Sequence, residues 1–199
     1  GYDFGDGDSD PAPGHFHGTH VAGTIAAIGD NGTGVIGVAP KAKIMAVKVG
    51  IRNTDSISTS AAVEGIDYAV KHGAKVINMS FGGMGYDRAM HDAIKAAVSS
   101  NVVCVAAAGN DNNNAGFYSP ASFEEVICVA ATDQNDQKAS FSNWGDVIDV
   151  KVKITPLDIV QKKLDLIIKL EDLGLDESSS RALLEQLKKD LPDKNAQYK

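Results

Sequence analysis

The sequence predicts an α/β protein, a parallel sheet covered by helices, followed by a helical tail. Strand-like and helix-like runs alternate through residues 1–150, the pattern of βαβ units. Two of the strand-like runs, Val102 to Ala107 and Val126 to Ala131, are continuously apolar, as strands are when both faces of a sheet are covered. A boundary falls near residue 150. Of 20 glycines, only Gly174 lies beyond it, and the charge changes from 17 acidic against 9 basic residues before it to 9 against 10 after it.

The elements follow from spacing. Lys43 to Val49 reads as a strand. Ser60 to His72 places Val63, Ile66 and Val70 on one helical face, and Gly73 stands where a helix ends. Lys75 to Met79 is the next strand. Tyr86 to Ser100 is a helix with Met90, Ile94, Ala97 and Val98 turned inward. In the tail, Pro156 opens a helix with Val160, Leu164, Ile167 and Ile168 on one face, closed by Gly174. Ser178 to Asp190 supplies a second helix carrying Leu183, Leu184 and Leu187, with Leu191 just beyond. A helical hairpin over 151–199 is the simplest arrangement, and its leucine spacing fits core packing.

Size and composition narrow the function. The chain has 199 residues, 43% hydrophobic and 23% charged, enough for one well-buried core and a small appendage. Net charge is −7 with no basic cluster, which argues against a nucleic-acid partner. No apolar run reaches bilayer length, so no membrane partner is expected. The chain starts at Gly1-Tyr2-Asp3 without Met and reads as a processed or excised piece. Cys104 and Cys128 lie inside apolar runs and read as buried free thiols.

Chemistry concentrates in His15 to Ala27, "HFHGTHVAGTIAA". Zinc-binding helices commonly place His at i and i+4 with a Glu between. Here His17 and His20 are three apart and no Glu is near, so metal ligation is the weakest reading. A Gly-Thr-x-x-Ala-Gly run lets a helix pass close beneath a sheet, with His20 as a core histidine. His17 stands at the mouth of that helix after a polar loop, a position suited to proton transfer. The residues alone leave the general-base and structural readings of His17 open.

Several separated motifs then agree. "HGTHVAGTIAA", followed by Gly34 to Pro40, "VINMSFGG" and "AAAGN", resembles the subtilisin-like serine protease family (subtilases, peptidase family S8) in order and spacing over residues 1–150. The resemblance implies a doubly wound parallel sheet in three α/β/α layers, and endopeptidase activity through an Asp-His-Ser triad. It also implies secretion, hence an extracellular location. By the same resemblance His17 is the general base, with His20 as structural support and His15 incidental. Asn110 is the donor to the oxyanion. Ser80, Phe81 and Gly82 match the segment that pairs with an extended polypeptide substrate. Ala107, Ala108 and Gly109, with the Tyr118 to Ala121 turn, match the walls of the main specificity pocket. Phe81 replaces the usual Leu.

The loop Ile28 to Val35 resembles the family's calcium loop, with Asn31 as side-chain ligand to a structural Ca²⁺. The Asp that completes that site lies upstream of the matched segment. Asp6-Gly7-Asp8-Ser9-Asp10 lacks the later Glu of a helix-loop-helix calcium loop and reads as a solvated acidic loop.

Two triad members have no counterpart here. The family's Asp-Thr-Gly lies upstream of the His motif, and its Gly-Thr-Ser-Met-Ala lies well after "FSNWG" (Phe141 to Gly145). After Val147 to Val150 the text departs from the family, and Ser178 to Ser180 look like a helix cap. The expectation is an incomplete, truncated peptidase domain (1–150) with a helical tail (151–199), inactive alone and without central elements of its sheet. The alternative is a pseudoprotease that binds peptide and docks through the tail.

Overall fold

The computed structural model describes residues 1–52, 54 and 56–153. The expected tail hairpin, with its Pro156 and Ser178 helices, lies outside the described residues. Among the described residues eight short strands and three α-helices follow in the order β1 (Tyr2–Asp3), α1 (Phe16–Ala26), β2 (Val47–Lys48), α2 (Thr59–Lys71), β3 (Val76–Met79), β4 (Gly83–Met84), α3 (Arg88–Ser99), β5 (Val103–Ala107), β6 (Tyr118–Ser119), β7 (Val126–Thr132) and β8 (Val150–Lys153). The main sheet is parallel throughout, in the order β3-β5-β7-β8, and β8 carries it past residue 150.

Helices α2 and α3 form where the apolar spacing places them, and each has a cap. The Ser58 and Asp87 side chains accept from the first-turn N–H groups of Ala61 and Met90. Gly73, at φ +79°, follows the end of α2 in the left-handed region open to glycine. Both helices bury their apolar faces against one side of the sheet. Ile66, Met90, Ile94 and Ala97 meet Met79, Cys104, Ala106 and Val126 there. The alternate strand residues Val105, Ile127, Val129 and Val152 build the opposite side. Ile25 of α1 and Val38 reach that side at Val76.

Cys104 and Cys128 are free and buried, as their apolar context predicts. Burial pushes both thiols up to about 12, with Glu125 and Asp149 adding smaller pushes.

Three expectations change. The strand expected over Lys43 to Val49 shrinks to Val47–Lys48, paired among the described residues with β1 alone. Its other edge and the free edge of β3 both border an open groove of about 1920 Å³, together with α1. The same groove explains the second change. Helix α1 has no buried residue, and His20 is exposed where a core position was expected. The apolar run predicts full burial, but the described residues cover it only in part: Val21 to Ala26 are half-buried, with Ile25 packed at Val38 and Val76.

The third concerns the acidic loop. Its residues 6–10 are exposed as expected, but Asp6 is also ion-paired: Lys48 Nζ donates to it at 2.5 Å and to the fully buried Asp3 at 2.6 Å, and Arg52 Nε lies 3.3 Å from Asp6. Strand pairing of β1 with β2 brings Lys48 onto this loop, a contact across 42 residues that no local pattern could reveal.

Candidate active site

The C-terminal ends of adjacent parallel strands are where open α/β sheets place their ligand sites. Here β3 ends at Met79 and runs into Ser80, Phe81 and Gly82. Its neighbour β5 ends at Ala107 and runs into Ala108, Gly109 and Asn110. Neighbouring strands lie about 4.8 Å apart, so the register Met79↔Ala106 sets these two exit segments side by side.

Helix α1 brings His17 to the same end. His15 caps the helix, its Nδ1 accepting from the His17 backbone N–H at 3.2 Å. The His17 ring points to β3, with Nε2 2.9 Å from the Ser80 carbonyl oxygen. A carbonyl only accepts, so this bond places the proton on Nε2 and leaves the lone pair on Nδ1. The ring is exposed, and among the described residues no carboxylate or hydroxyl bonds to it.

The Ser80–Gly82 segment is fastened on its far side. β4 pairs antiparallel with β6, Gly83 opposite Ser119 and Met84 opposite Tyr118. Gly82 packs so close that a Cβ there would stand 2.9 Å from the Ser119 carbonyl oxygen. The Asn78 amide donates to Ser80 Oγ at 2.9 Å. Phe81 is half-buried against the α2/α3 core, which anchors the segment, while Gly82 is exposed.

Asn110 is exposed at the tip of the β5 exit, and a residue that carried no role in the sequence reading holds its loop. Asn143, wholly buried, accepts from the Asp111 and Asn113 N–H groups at 2.9 and 3.0 Å and donates to the Ala108 carbonyl at 2.9 Å. Its own N–H bonds the Gly109 carbonyl at 3.0 Å. The "FSNWG" segment is visible in the sequence as a landmark. Nothing in one chain shows that its Asn folds back across more than thirty residues.

Asn31 lies apart from this cluster, in the loop beyond the far end of α1, with about 14 Å of helix between His17 and that end. Residues 28–36 wrap a concavity of about 270 Å³. Asn31 Oδ1 accepts from the Thr33 N–H at 3.1 Å and keeps a second lone pair. Asp30 and the loop carbonyls add hard oxygens of the kind Ca²⁺ takes, so the donor set fits that ion. Among the described residues no cluster of three or more His, Cys, Asp or Glu could hold a metal. None of their helices is long and apolar enough to cross a membrane.

Comparison with known proteins agrees with this arrangement. The subtilase family model (peptidase S8) matches residues 1–159. Thermitase of Thermoactinomyces vulgaris is 49% identical over 150 residues, 75% of this chain and 53% of that protein. Subtilisin DY of Bacillus licheniformis is 44% identical over 155 residues, 75% of this chain and 55% of that protein. Among solved structures, a cold adapted subtilisin-like serine proteinase superposes with a TM-score of 0.75 at 30% identity, covering 98% of this chain and 72% of that one. The chain spans about half the length of the curated relatives it matches. A family model matched over four fifths of the sequence, on a parallel sheet flanked by helices and with relatives 44% and 49% identical, places this chain in the subtilase family.

Proposed function

We propose that this chain is part of a serine endopeptidase domain, with His17 as general base and Asn110 as oxyanion donor. Ser80, Phe81 and Gly82 form the edge that receives an extended polypeptide, and Ala107, Ala108 and Gly109 form a wall of the side-chain pocket. The observation that carries this reading is the 2.9 Å contact of His17 with Ser80, at the end of the strand next to the one that presents Asn110. Exposed backbone at Gly82 and Gly83 suits strand addition by a peptide, whose main chain would be held there while pockets select its side chains.

In the reaction proposed, a serine hydroxyl gives its proton to the imidazole as the oxygen attacks the peptide carbonyl. The Asn110 amide receives the developing oxyanion, and the imidazolium returns the proton to the leaving amine. A carboxylate on Nδ1 would shift the ring proton there and free Nε2 for this task. As the ring stands, Nε2 is occupied by the Ser80 carbonyl. The polypeptide 1–199 is therefore inactive alone. The peptidase part runs at least through β8, to Lys153, past the boundary near residue 150 that the composition suggests. The domain works outside the cell and binds Ca²⁺ through Asn31 and the carbonyls of its loop, a structural ion that steadies the end of α1.

The test is to offer the purified chain a chromogenic peptide and a fluorophosphonate label. No peptide hydrolysis and no labelled serine are expected, and a specifically labelled serine overturns the inactive reading. The occupied Nε2 also favours the alternative of a pseudoprotease that binds peptide without cutting it. Saturable peptide binding that Gly82→Pro abolishes, in the full natural polypeptide lacking hydrolysis, would decide for that alternative.

A further inference from the structure

On the α3 side of the groove, three side chains form a hydrogen-bonded series that the protease reading does not use. His91 stands on the first turn of α3, Tyr86 just before the helix, and Glu125 in the turn leading to β7. His91 Nε2 lies 2.7 Å from Glu125 Oε2, and His91 Nδ1 lies 2.7 Å from the Tyr86 phenol oxygen. The imidazole is fixed in place. It stacks on the buried Phe123 with ring centroids 4.2 Å apart and planes 8° from parallel, and Tyr86 meets Phe123 edge-on at 5.8 Å.

The protons follow from the donor rules. Burial raises the Glu125 carboxyl. The hydrogen bond from His91, its own backbone N–H and the charges of His91 and Lys95 lower it by more, so it lies below the usual Glu value. It is ionised near neutral pH and can only accept. A neutral His91 must then carry its proton on Nε2, which leaves the Nδ1 lone pair facing Tyr86, and the phenol donates to it. Carboxylate, imidazole and hydroxyl thus stand in the order that activates a hydroxyl nucleophile, the carboxylate orienting the base. The inner pair is sheltered, with His91 and Glu125 side chains 14% and 18% exposed. Tyr86 itself is 65% exposed, open to a reagent from solvent.

We infer that Tyr86 is a nucleophilic oxygen, activated by His91 and Glu125, that accepts an acyl group from an activated acyl donor such as an aryl ester. The Tyr86 oxygen forms a bond to the acyl carbon as His91 Nδ1 takes the phenol proton. The bond from that carbon to the leaving group breaks, and the imidazolium hands the proton to the departing aryloxide. The product is an aryl ester on Tyr86, and no oxidant or reductant is involved. The site does not depend on the serine protease reading and needs no residue beyond those described.

The experiment uses the full chain with p-nitrophenyl acetate near neutral pH, and maps acetyl groups by peptide mass spectrometry against N-acetyltyrosine amide in the same solution. Tyr86 is expected to acetylate at least about 10-fold faster than the reference phenol, below the usual 10²–10⁴ of a positioned general base. His91→Gln retains an amide that can bridge the same two partners but cannot take the proton, and it should bring Tyr86 to the reference rate. Glu125→Gln should lower the rate in the same direction. Hydroxylamine should remove the group, as it does from aryl esters. Tyr86→Phe should lose the acetyl group at that peptide only, and circular dichroism checks that each variant is folded. Acetylation of Tyr86 at the reference rate, an undiminished rate in folded His91→Gln, or a stable acetyl on His91 in place of Tyr86 would overturn the inference.

Discussion

The amide of Asn143 occupies the space that a side chain at residue 109 would need: a Cβ on Gly109 would stand 2.3 Å from Asn143 Nδ2. Gly109 also sits at φ +106°, a conformation that L side chains rarely adopt. Gly109→Ala must therefore strain the backbone and displace the buried amide together. A loss of about 1–3 kcal/mol is expected in denaturant unfolding, and a loss below about 0.5 kcal/mol would show that the loop yields freely.

Asn143→Ala removes the acceptor of two backbone N–H groups and the donor to Ala108. A group left unpaired costs about 1–3 kcal/mol when burial is complete, as for the Ala108 carbonyl, and less at the part-buried Asp111 and Asn113 N–H groups. Asn143→Asp keeps the acceptors but sets a carboxylate oxygen against the Ala108 carbonyl in a wholly buried site, so it should be destabilised at neutral pH and regain stability relative to Asn143→Ala in acid, where the protonated carboxyl can donate. A difference between the two variants that does not change with pH would contradict the hydrogen-bond assignment.

Stability should fall at both ends of the pH scale through the Lys48 cluster. The hydrogen bond from Lys48, then the Arg52 backbone N–H, hold the Asp6 carboxyl down to about 2. A carboxyl lowered on folding stabilises above its unfolded value of about 4, and the benefit disappears as pH falls from there through 2. Burial lowers the Lys48 ammonium and the bonds to Asp3 and Asp6 raise it by more, so it is held above its usual value. That contribution is complete below about pH 10.4 and is lost as pH rises through the folded value. In denaturant titrations the gap between wild type and Asp6→Asn should close between about pH 4 and pH 2. A gap of constant size would remove Asp6 from the acid response.

Cys104 and Cys128 should resist thiol reagents in the native chain and react at once in denaturant. Their burial keeps both protonated, with values pushed up to about 12. Fast reaction of either thiol with Ellman's reagent without denaturant would show that strands β5 and β7 open readily.

Much of this molecule is legible in the sequence because local chemistry dictates it. Gly73 and the Ile66 and Ile94 faces place α2 and α3 to within two residues, and the apolar runs Val102 to Ala107 and Val126 to Ala131 match β5 and β7 to within one. The place of His17 at the mouth of α1 follows from its motif, but the cap does not: His15, read as incidental, accepts from the His17 N–H. Contacts that close over long stretches of chain are not legible this way. Lys48 pairing with Asp6, Asn143 gripping residues 108–113, and His91 bridging Tyr86 to Glu125 each join residues whose spacing carries no period. The exposure of His20 was hidden for a related reason: an apolar helix predicts a partner, and the partner's whereabouts are not written in the helix.

Calcium should stabilise the chain through the loop around Asn31. At one hundred times its dissociation constant, a ligand that binds only the folded state adds about 2.7 kcal/mol. Thermal unfolding in Ca²⁺ against EGTA should separate the wild-type curves and leave Asn31→Ala unmoved. An equal shift in both would place the ion elsewhere.

The central claim is that His17 and Asn110 perform general-base and oxyanion chemistry. A chimera tests it most directly: residues 1–150 replace the matching segment of thermitase, so that the rest of that protein provides the aspartate and serine that the family resemblance implies. Peptide hydrolysis is expected. His17→Ala should abolish it by several orders of magnitude, and Asn110→Ala should lower kcat about 10²–10³-fold with little change in KM. A folded, active chimera that keeps its kcat in either variant would contradict the roles assigned to that residue.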